Sequence, residues 1–257
     1  MKITGNSILI TGGGSGIGRG LAEAFHKLGN KVIIAGRRKQ FLDETAAANP
    51  GMASAILNIE DAASIRAFAA KLVADFPGLN VVINNAGIAG LEDLRSAPAN
   101  LEKSEAIITT NVLGPIRLTT ALLPQLVKQP DAAIITVSSG LAFIPMALTP
   151  TYNATKAAIH SYSQALRYQL KSTNVKVLEL VPPYVQTELM GSQQAADPRA
   201  MPLKDYLAET IELIRTQPDA TEILVERVKP LRFAEQNGKE KYDAFFKQFN
   251  DAMMSPH

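Results

Sequence analysis

Six short apolar runs, rich in β-branched residues, alternate with longer stretches of helical periodicity along most of the chain. The runs are Ser7–Ile10, Lys31–Ala35, Ala53–Leu57, Val81–Ile83, Ala133–Val137 and Lys176–Val181. They read as buried strands, and several end at Gly, Asn, Ser or Pro. After the first, Ile17, Leu21, Phe25 and Leu28 mark one apolar stripe, and Gly29 is a natural helix stop. Asp61–Phe76 repeats the pattern with Ile65, Phe68, Leu72 and Phe76. This alternation predicts an α/β fold: a doubly wound parallel sheet with helices on both faces, in three α/β/α layers.

The 257 residues, 46% of them apolar, suffice for one large core. There is no internal repeat and no low-complexity linker, so a single domain over 1–257 is expected. Within it, 190–257 reads as a variable substrate lid followed by C-terminal helices. Gly191–Pro202 has the composition of a loop. A helix with Leu207, Ile211 and Ile214 on one face follows, and another falls near Tyr242–Phe249. A seventh strand falls near Ile223–Val225.

Composition removes several function classes. With 26 basic and 24 acidic side chains, the net charge of +2 gives no reason to expect nucleic acid or a charged membrane surface as partner. The absence of cysteine excludes disulfides, thiolate metal sites and cysteine nucleophiles. His26, His160 and His257 show no metal-ligand spacing, so no metal site is expected. The N-terminus lacks the regions of a secretion signal, and no apolar stretch of about 18 residues suggests a membrane span. A cytoplasmic protein is the expectation.

The first strand runs into Thr11-Gly12-Gly13-Gly14-Ser15-Gly16-Ile17-Gly18, where the first helix begins. Glycine permits positive φ and close backbone approach, and the helix N-terminus offers free N–H groups to a pyrophosphate. A glycine-rich run alone could be an ordinary turn, but its place between a buried strand and an amphipathic helix argues for a phosphate loop. The second strand ends in Ala35-Gly36-Arg37-Arg38. NAD-binding folds usually carry a carboxylate there for the ribose 2′-hydroxyl. Two guanidinium groups instead suit a 2′-phosphate, so NADP(H) is preferred over NAD(H), which stays possible. The alternative is that Arg37 and Arg38 are solvated loop charges.

Tyr152 and Lys156 are four residues apart in a segment of good helix formers, which places them on one helical face. A neighbouring ammonium favours phenolate, and a tyrosine so tuned can exchange a proton with a substrate oxygen. In isolation such a pair is ordinary helix surface. Its setting is not ordinary. The glycine loop, Asn84-Asn85-Ala86-Gly87, Asn111, Ser138-Ser139 and Tyr152-Asn-Ala-Thr-Lys156 occur in an order and spacing that resemble the classical short-chain dehydrogenases/reductases, a Rossmann-type family. The likeness covers roughly residues 5–190. The ending Val181-Pro182-Pro183-Tyr184-Val185-Gln186-Thr187-Glu188 is similar to the DltE-like oxidoreductases.

The resemblance implies roles. Tyr152 would be the general acid/base, and Lys156 would lower its pKa and bind the nicotinamide ribose. Ser139, rather than Ser138, would orient the substrate oxygen. Asn111 would position a water that links Lys156 to solvent. Gly12, Ser15, Ile17 and Gly18 would line the pyrophosphate, with Arg37 and Arg38 at the 2′-phosphate. Asn85, Ala86 and Gly87 would border the adenine ribose and the middle of the cofactor, and Val185 and Thr187 would hold the carboxamide. Asn58 stands where the family usually has aspartate against the adenine, and its amide can still hydrogen-bond there. Bland alternatives stay open: Asn84 as a structural tie, Asn111 as a helix irregularity, Thr187 as a helix N-cap with Glu188 in the first turn. Pro182-Pro183 departs from the family's Pro-Gly; a second proline removes an N–H and fixes φ.

Between Ser139 and Tyr152, Leu141, Phe143, Ile144 and Met146 suggest an apolar substrate wall, part of which could be core or subunit contact. Tyr184, Met190 and Met201 suggest a lid. No charged anchor stands out, so an uncharged carbonyl or alcohol of modest size is expected as substrate. The resemblance also implies a homodimer or homotetramer, with Leu101–Val127 and Tyr152–Lys171 as interface helices. The competing function is a catalytically idle, dinucleotide-sensing regulator, which decayed catalytic residues would mark. An epimerase or dehydratase relative would need a longer substrate domain than this C-terminal stretch offers.

Overall fold

A computed structural model of the chain describes residues 1–95 and 101–254; His257 lies outside them. Seven parallel strands form one sheet in the order β3-β2-β1-β4-β5-β6-β7. They are β1 Ser7–Thr11, β2 Lys31–Gly36, β3 Ala53–Ile56, β4 Val81–Asn84, β5 Ala132–Val137, β6 Val175–Leu180 and β7 Glu222–Ile223. The first six match the apolar runs of the sequence. The seventh is two residues long, pairs with Glu179 and Leu180 of β6, and begins one residue earlier than Ile223–Val225.

The pleat explains why the strands are apolar on both faces. Ile8 and Ile10 of β1 join Ile34, Ile83 and Ile135 in a core on one side. Leu9 points the other way and joins Ile33, Val82 and Ile134. The first core is covered by α1 Gly16–Lys27 through Leu21 and Phe25, and the second by α3 Ala62–Asp75 through Ile65 and Leu72. Between them in sequence lies α2 Lys39–Ala48, half-exposed, with Leu42 turned inward.

The long helix expected near Leu101–Val127 is three pieces: α4 Glu102–Ile108, a π turn Thr109–Leu113 and α5 Gly114–Leu126. Among the described residues, this 25-residue run is long and apolar enough, by length and composition only, to cross a membrane, whereas no such stretch was expected from the sequence. Its inner face is Leu118, Leu122 and Leu126, packed with the second core. The remaining helices are α6 Pro150–Gln169, α7 Ser192–Ala196, α8 Leu203–Thr216, α9 Lys229–Arg232 and α10 Lys239–Met254. Thus the expected Gly191–Pro202 loop contains a helical turn, and the C-terminal helix is longer than Tyr242–Phe249.

The strand order reverses between β1 and β4. Loops leaving their carboxyl ends diverge there and open the crevice in which such folds bind ligands.

Candidate active site

The loop after β1 is shaped by contacts that leave no room for side chains. Gly12 has φ +69° and Gly16 φ +52°, the left-handed region that favours glycine. A Cβ on Gly18 would lie 2.3 Å from the Gly12 oxygen and 2.4 Å from Asn85 Nδ2. Ser15 stands at the N-cap of α1 with extended backbone and no side-chain cap, and the first turn has no acidic residue. The helix therefore presents its first N–H groups to an anion rather than to a protein oxygen. Ile17 is half-buried beside these groups. A cradle of this form fits a dinucleotide pyrophosphate.

Thr11 ties this loop to the one after β4. Its Oγ1 accepts from the amides of Asn85 (3.1 Å) and Ala86 (3.0 Å), and its carbonyl accepts from Asn85 Nδ2 at 2.9 Å. Nothing in the sequence reading singled out Thr11. Asn84 has the structural job considered for it, donating to Thr119 Oγ1 on α5 at 3.0 Å.

The two arginines after β2 diverge. Arg38 reaches back to Ser15, donating to its Oγ at 2.7 Å, and its guanidinium lies 4.4 Å over the Phe41 ring. Arg37 instead pairs with Glu60 Oε1 at 2.6 Å. That oxygen also accepts from Thr110 Oγ1 at 2.8 Å. The sequence reading found no carboxylate at the end of β2, yet the loop after β3 delivers one. Asn58 is exposed, and its Oδ1 accepts from the Glu60 amide at 3.2 Å, which leaves its NH₂ group as a donor.

Asn111 lies in the π turn, a backbone irregularity that recurs at functional sites. Its side chain is fully engaged: Oδ1 accepts from Ile88 N, and Nδ2 donates to Ile88 O, both at 2.9 Å, and to Thr155 Oγ1 at 3.1 Å. These bonds clamp the loop after β4 onto α6. Gly87 sits at the junction, where a Cβ would lie 3.3 Å from Asn111 Oδ1 and 3.7 Å from Lys156 Nζ.

Ser139, Tyr152 and Lys156 converge at the carboxyl end of β5. The Ser139 hydroxyl stands close enough to the Tyr152 phenol to act on its ionisation. Ser138 is buried and points to Leu180 O at 3.4 Å, which leaves Ser139 as the serine of the site. Lys156 Nζ donates to Val137 O at 2.8 Å and lies 5.4 Å from the Tyr152 ring centroid. The pKa expectation needs correction. Burial pushes the Tyr152 phenol up to about 12, against the nearby Ser139 hydroxyl, which favours phenolate. Burial likewise pulls Lys156 down to about 8, against the charge of Glu179. Desolvation outweighs the opposing interaction in both cases.

The C-terminal region encloses the site. Gly140 N donates to Pro182 O at 2.9 Å, so the Pro182-Pro183 turn is tied to the serine loop. Thr187 is not a helix N-cap; it lies in a turn against Gly16, whose added Cβ would meet it at 3.6 Å. Gln194, hidden in a stretch read as loop, donates to Val185 O at 2.8 Å and Thr187 Oγ1 at 3.1 Å. Met201 is buried and bridges Val185, while Tyr184 OH donates to Asp197 at 3.2 Å.

Of the expected substrate wall, Ile144 is core and Phe143 packs edge-on to His160, with ring centroids 4.7 Å apart. Leu141 and Met146 line a groove of about 320 Å³ with Pro145 and Phe246, but neither Ser139 nor Tyr152 borders it. Residues 145–147 are held by Asn250 of α10, which accepts from Ala147 N at 2.6 Å and donates to Pro145 O at 3.1 Å. The fold also gathers His160, Glu179 and Glu222, a group that spacing in the sequence did not reveal.

A parallel sheet with a glycine phosphate loop at its switch point, and a Ser–Tyr–Lys set beside it, defines a nucleotide-dependent oxidoreductase. Residues 6–198 match the family described as short chain dehydrogenase, and the chain belongs to that family and is an NAD(P)-dependent oxidoreductase. It is 39% identical over 253 residues to the uncharacterised oxidoreductase DltE of Bacillus subtilis (strain 168), covering 97% of this chain and 98% of the relative. A short chain dehydrogenase from Burkholderia cenocepacia J2315 in complex with NADP has the same fold (TM-score 0.80, 22% identity, 100% of both chains). The 3-ketoacyl-(acyl-carrier-protein) reductase from Brucella melitensis complexed with NADH is similar at TM-score 0.74 and 27% identity, over 82% of this chain and 91% of that one.

Proposed function

We propose that this protein is an NADP(H)-dependent oxidoreductase that interconverts a carbonyl and an alcohol on a small uncharged substrate. The observation that carries the reading is the buried Tyr152 phenol beside the Ser139 hydroxyl, with Lys156 one helical turn away. A bound nicotinamide would supply or accept the hydride. Tyr152 donates a proton to the substrate oxygen during reduction and takes it back during oxidation. With its pKa near 12, the phenol is protonated at neutral pH, the form that reduction needs. Ser139 orients the same oxygen through its hydroxyl. Lys156 places a positive charge beside the phenol as its proton leaves. The Asn111 side chain is committed to Ile88 and Thr155, so any water it positions for Lys156 would be held by its main chain.

The cofactor preference is supported by Arg38, already drawn to the phosphate loop, while Arg37 would serve as a second cation on exchanging Glu60 for the phosphate. Val185 and Thr187 would face the carboxamide through the turn that Gln194 stabilises. Exposed Leu101, Ile108, Leu113 and Val127 support self-association through the α4–α5 run. Calorimetric titration with NADPH and NADH, followed by a panel of ketones and alcohols, tests the reading. Tighter binding of NADPH and turnover that disappears in Tyr152→Phe are expected. Equal turnover by that variant overturns the mechanism, and equal affinity for both dinucleotides overturns the preference.

A further inference from the structure

Helix α7 is five residues long, too short to hold itself by its own hydrogen bonds. Ser192, Gln193, Ala195 and Ala196 are exposed, and Gln194 alone is buried. A buried amide must satisfy both of its ends. Its Oε1 accepts from Met190 N at 3.0 Å. Its Nε2 donates to Val185 O at 2.8 Å and to Thr187 Oγ1 at 3.1 Å. The partners fix which way the amide points: a main-chain N–H can meet only its oxygen, and a main-chain carbonyl only its nitrogen. These three bonds hold the turn from Val185 to Met190 from within. Two more close its base, where Met201 N donates to Tyr184 O at 2.8 Å and Gln186 N donates to Met201 O at 2.9 Å.

Thr187 gains a direction from this arrangement. A hydroxyl oxygen accepts through two lone pairs and donates one hydrogen. Gln194 occupies one lone pair, and the Leu189 amide approaches the other at 3.4 Å. What Thr187 has left to offer a ligand is its O–H. The side chain stands against the phosphate loop, since a Cβ on Gly16 would lie 3.6 Å from Thr187 Cβ and Cγ2. A pyrophosphate there already has the N–H groups at the start of α1. The carboxamide oxygen of a nicotinamide needs a donor of its own. We propose that Gln194 is a positioning residue of the cofactor site, which makes Thr187 a fixed donor to that carboxamide oxygen. The proposal rests on the dinucleotide reading given above. Without Gln194 the hydroxyl loses the partner that orients it, and the Val185 carbonyl and Met190 amide lose theirs.

The test is calorimetric titration of wild type and Gln194→Met with NADP⁺ and with 2′-phospho-ADP-ribose, which keeps both bridging phosphates and lacks the nicotinamide. Methionine keeps the length of the side chain and removes its hydrogen bonds. NADP⁺ is expected to bind about 3- to 10-fold more weakly to the variant, the worth of one neutral hydrogen bond, while the fragment binds as to wild type. Unchanged NADP⁺ affinity overturns the proposal, and so does an equal loss for both ligands. Gln194→Glu sets carboxylate oxygens against Thr187 Oγ1, which draws the hydroxyl hydrogen inward, so NADP⁺ weakens further than in Gln194→Met; a smaller loss overturns the proposal. In the Thr187→Val background, Gln194→Met costs no additional NADP⁺ affinity, whereas additive losses show that Gln194 does not act through Thr187. In turnover assays KM for NADPH rises and KM for the carbonyl substrate holds; a turn that has merely lost its structure raises both. Wild-type protein that binds neither ligand refutes the dinucleotide reading and the proposal with it, whereas the outcomes in the variants refute the proposal alone.

Discussion

Ser139 and Tyr152 stand thirteen residues apart in the chain, yet the fold brings the serine hydroxyl beside the phenol at the carboxyl end of β5. The segment between them leaves the strand, makes a 3₁₀ turn at Gly140–Ala142 and returns into α6. Both hydroxyls are thereby held at one point of the crevice, where a substrate oxygen can meet them together.

Tyr152→Phe removes the proton donor without removing the ring, so kcat is expected to fall by about 10²- to 10⁴-fold while dinucleotide affinity is kept. Steady-state kinetics with calorimetry on the same preparation checks both halves.

The pH profile follows from Lys156. Its ammonium is needed beside the phenol, and with its pKa lowered to about 8 the reductive rate is flat below that pH and declines above it. Oxidation has the opposite dependence, because Tyr152 must then act as base. A reductive kcat/KM that continues level to about pH 10 would contradict the assignment.

Arg38 and Glu60 pull the cofactor preference in opposite directions. Arg38→Ala is expected to weaken NADPH by about 10- to 100-fold, with little effect on NADH. Glu60→Gln releases Arg37 from its ion pair and removes a like charge from the neighbourhood of a 2′-phosphate, so NADPH binding tightens severalfold. Titrations in which both dinucleotides shift equally would show that neither side chain reads the phosphate.

Gly18→Ala drives a methyl into the Gly12 carbonyl and the Asn85 amide. Neither can withdraw, since Asn85 is tied to Thr11 on the rigid end of β1. The expected cost is about 1–3 kcal/mol in stability, with dinucleotide binding lost alongside. Thermal melting and titration measure the two effects.

Asn250→Ala unties α10 from residues 145–147 and leaves the Ala147 amide and Pro145 carbonyl without their partner. About 1–3 kcal/mol of local stability should go. Limited proteolysis should cut α10 first, and the substrate KM should rise more than kcat falls.

Much of the fold was legible because strands on a doubly covered sheet must be apolar throughout, and Leu9 between Ile8 and Ile10 shows why. Tyr152 and Lys156 were legible because helical spacing is local. The ion pair of Arg37 was not legible for the opposite reason: its partner Glu60 arrives from the loop after the next strand along the sheet, 23 residues away. Gln194 and Asn250 were missed because a buried amide in a polar segment has no pattern that distinguishes it from a solvated one.

The sequence by itself determined the strand–helix alternation, the phosphate loop and the four-residue step from tyrosine to lysine. Each depends on neighbours along the chain, through periodicity, backbone freedom or helical spacing. Only the tertiary structure decided which charges meet and how tightly each group holds its proton. Desolvation at Tyr152 and Lys156 is set by α6 closing on β5, and those contacts join residues that no local pattern connects.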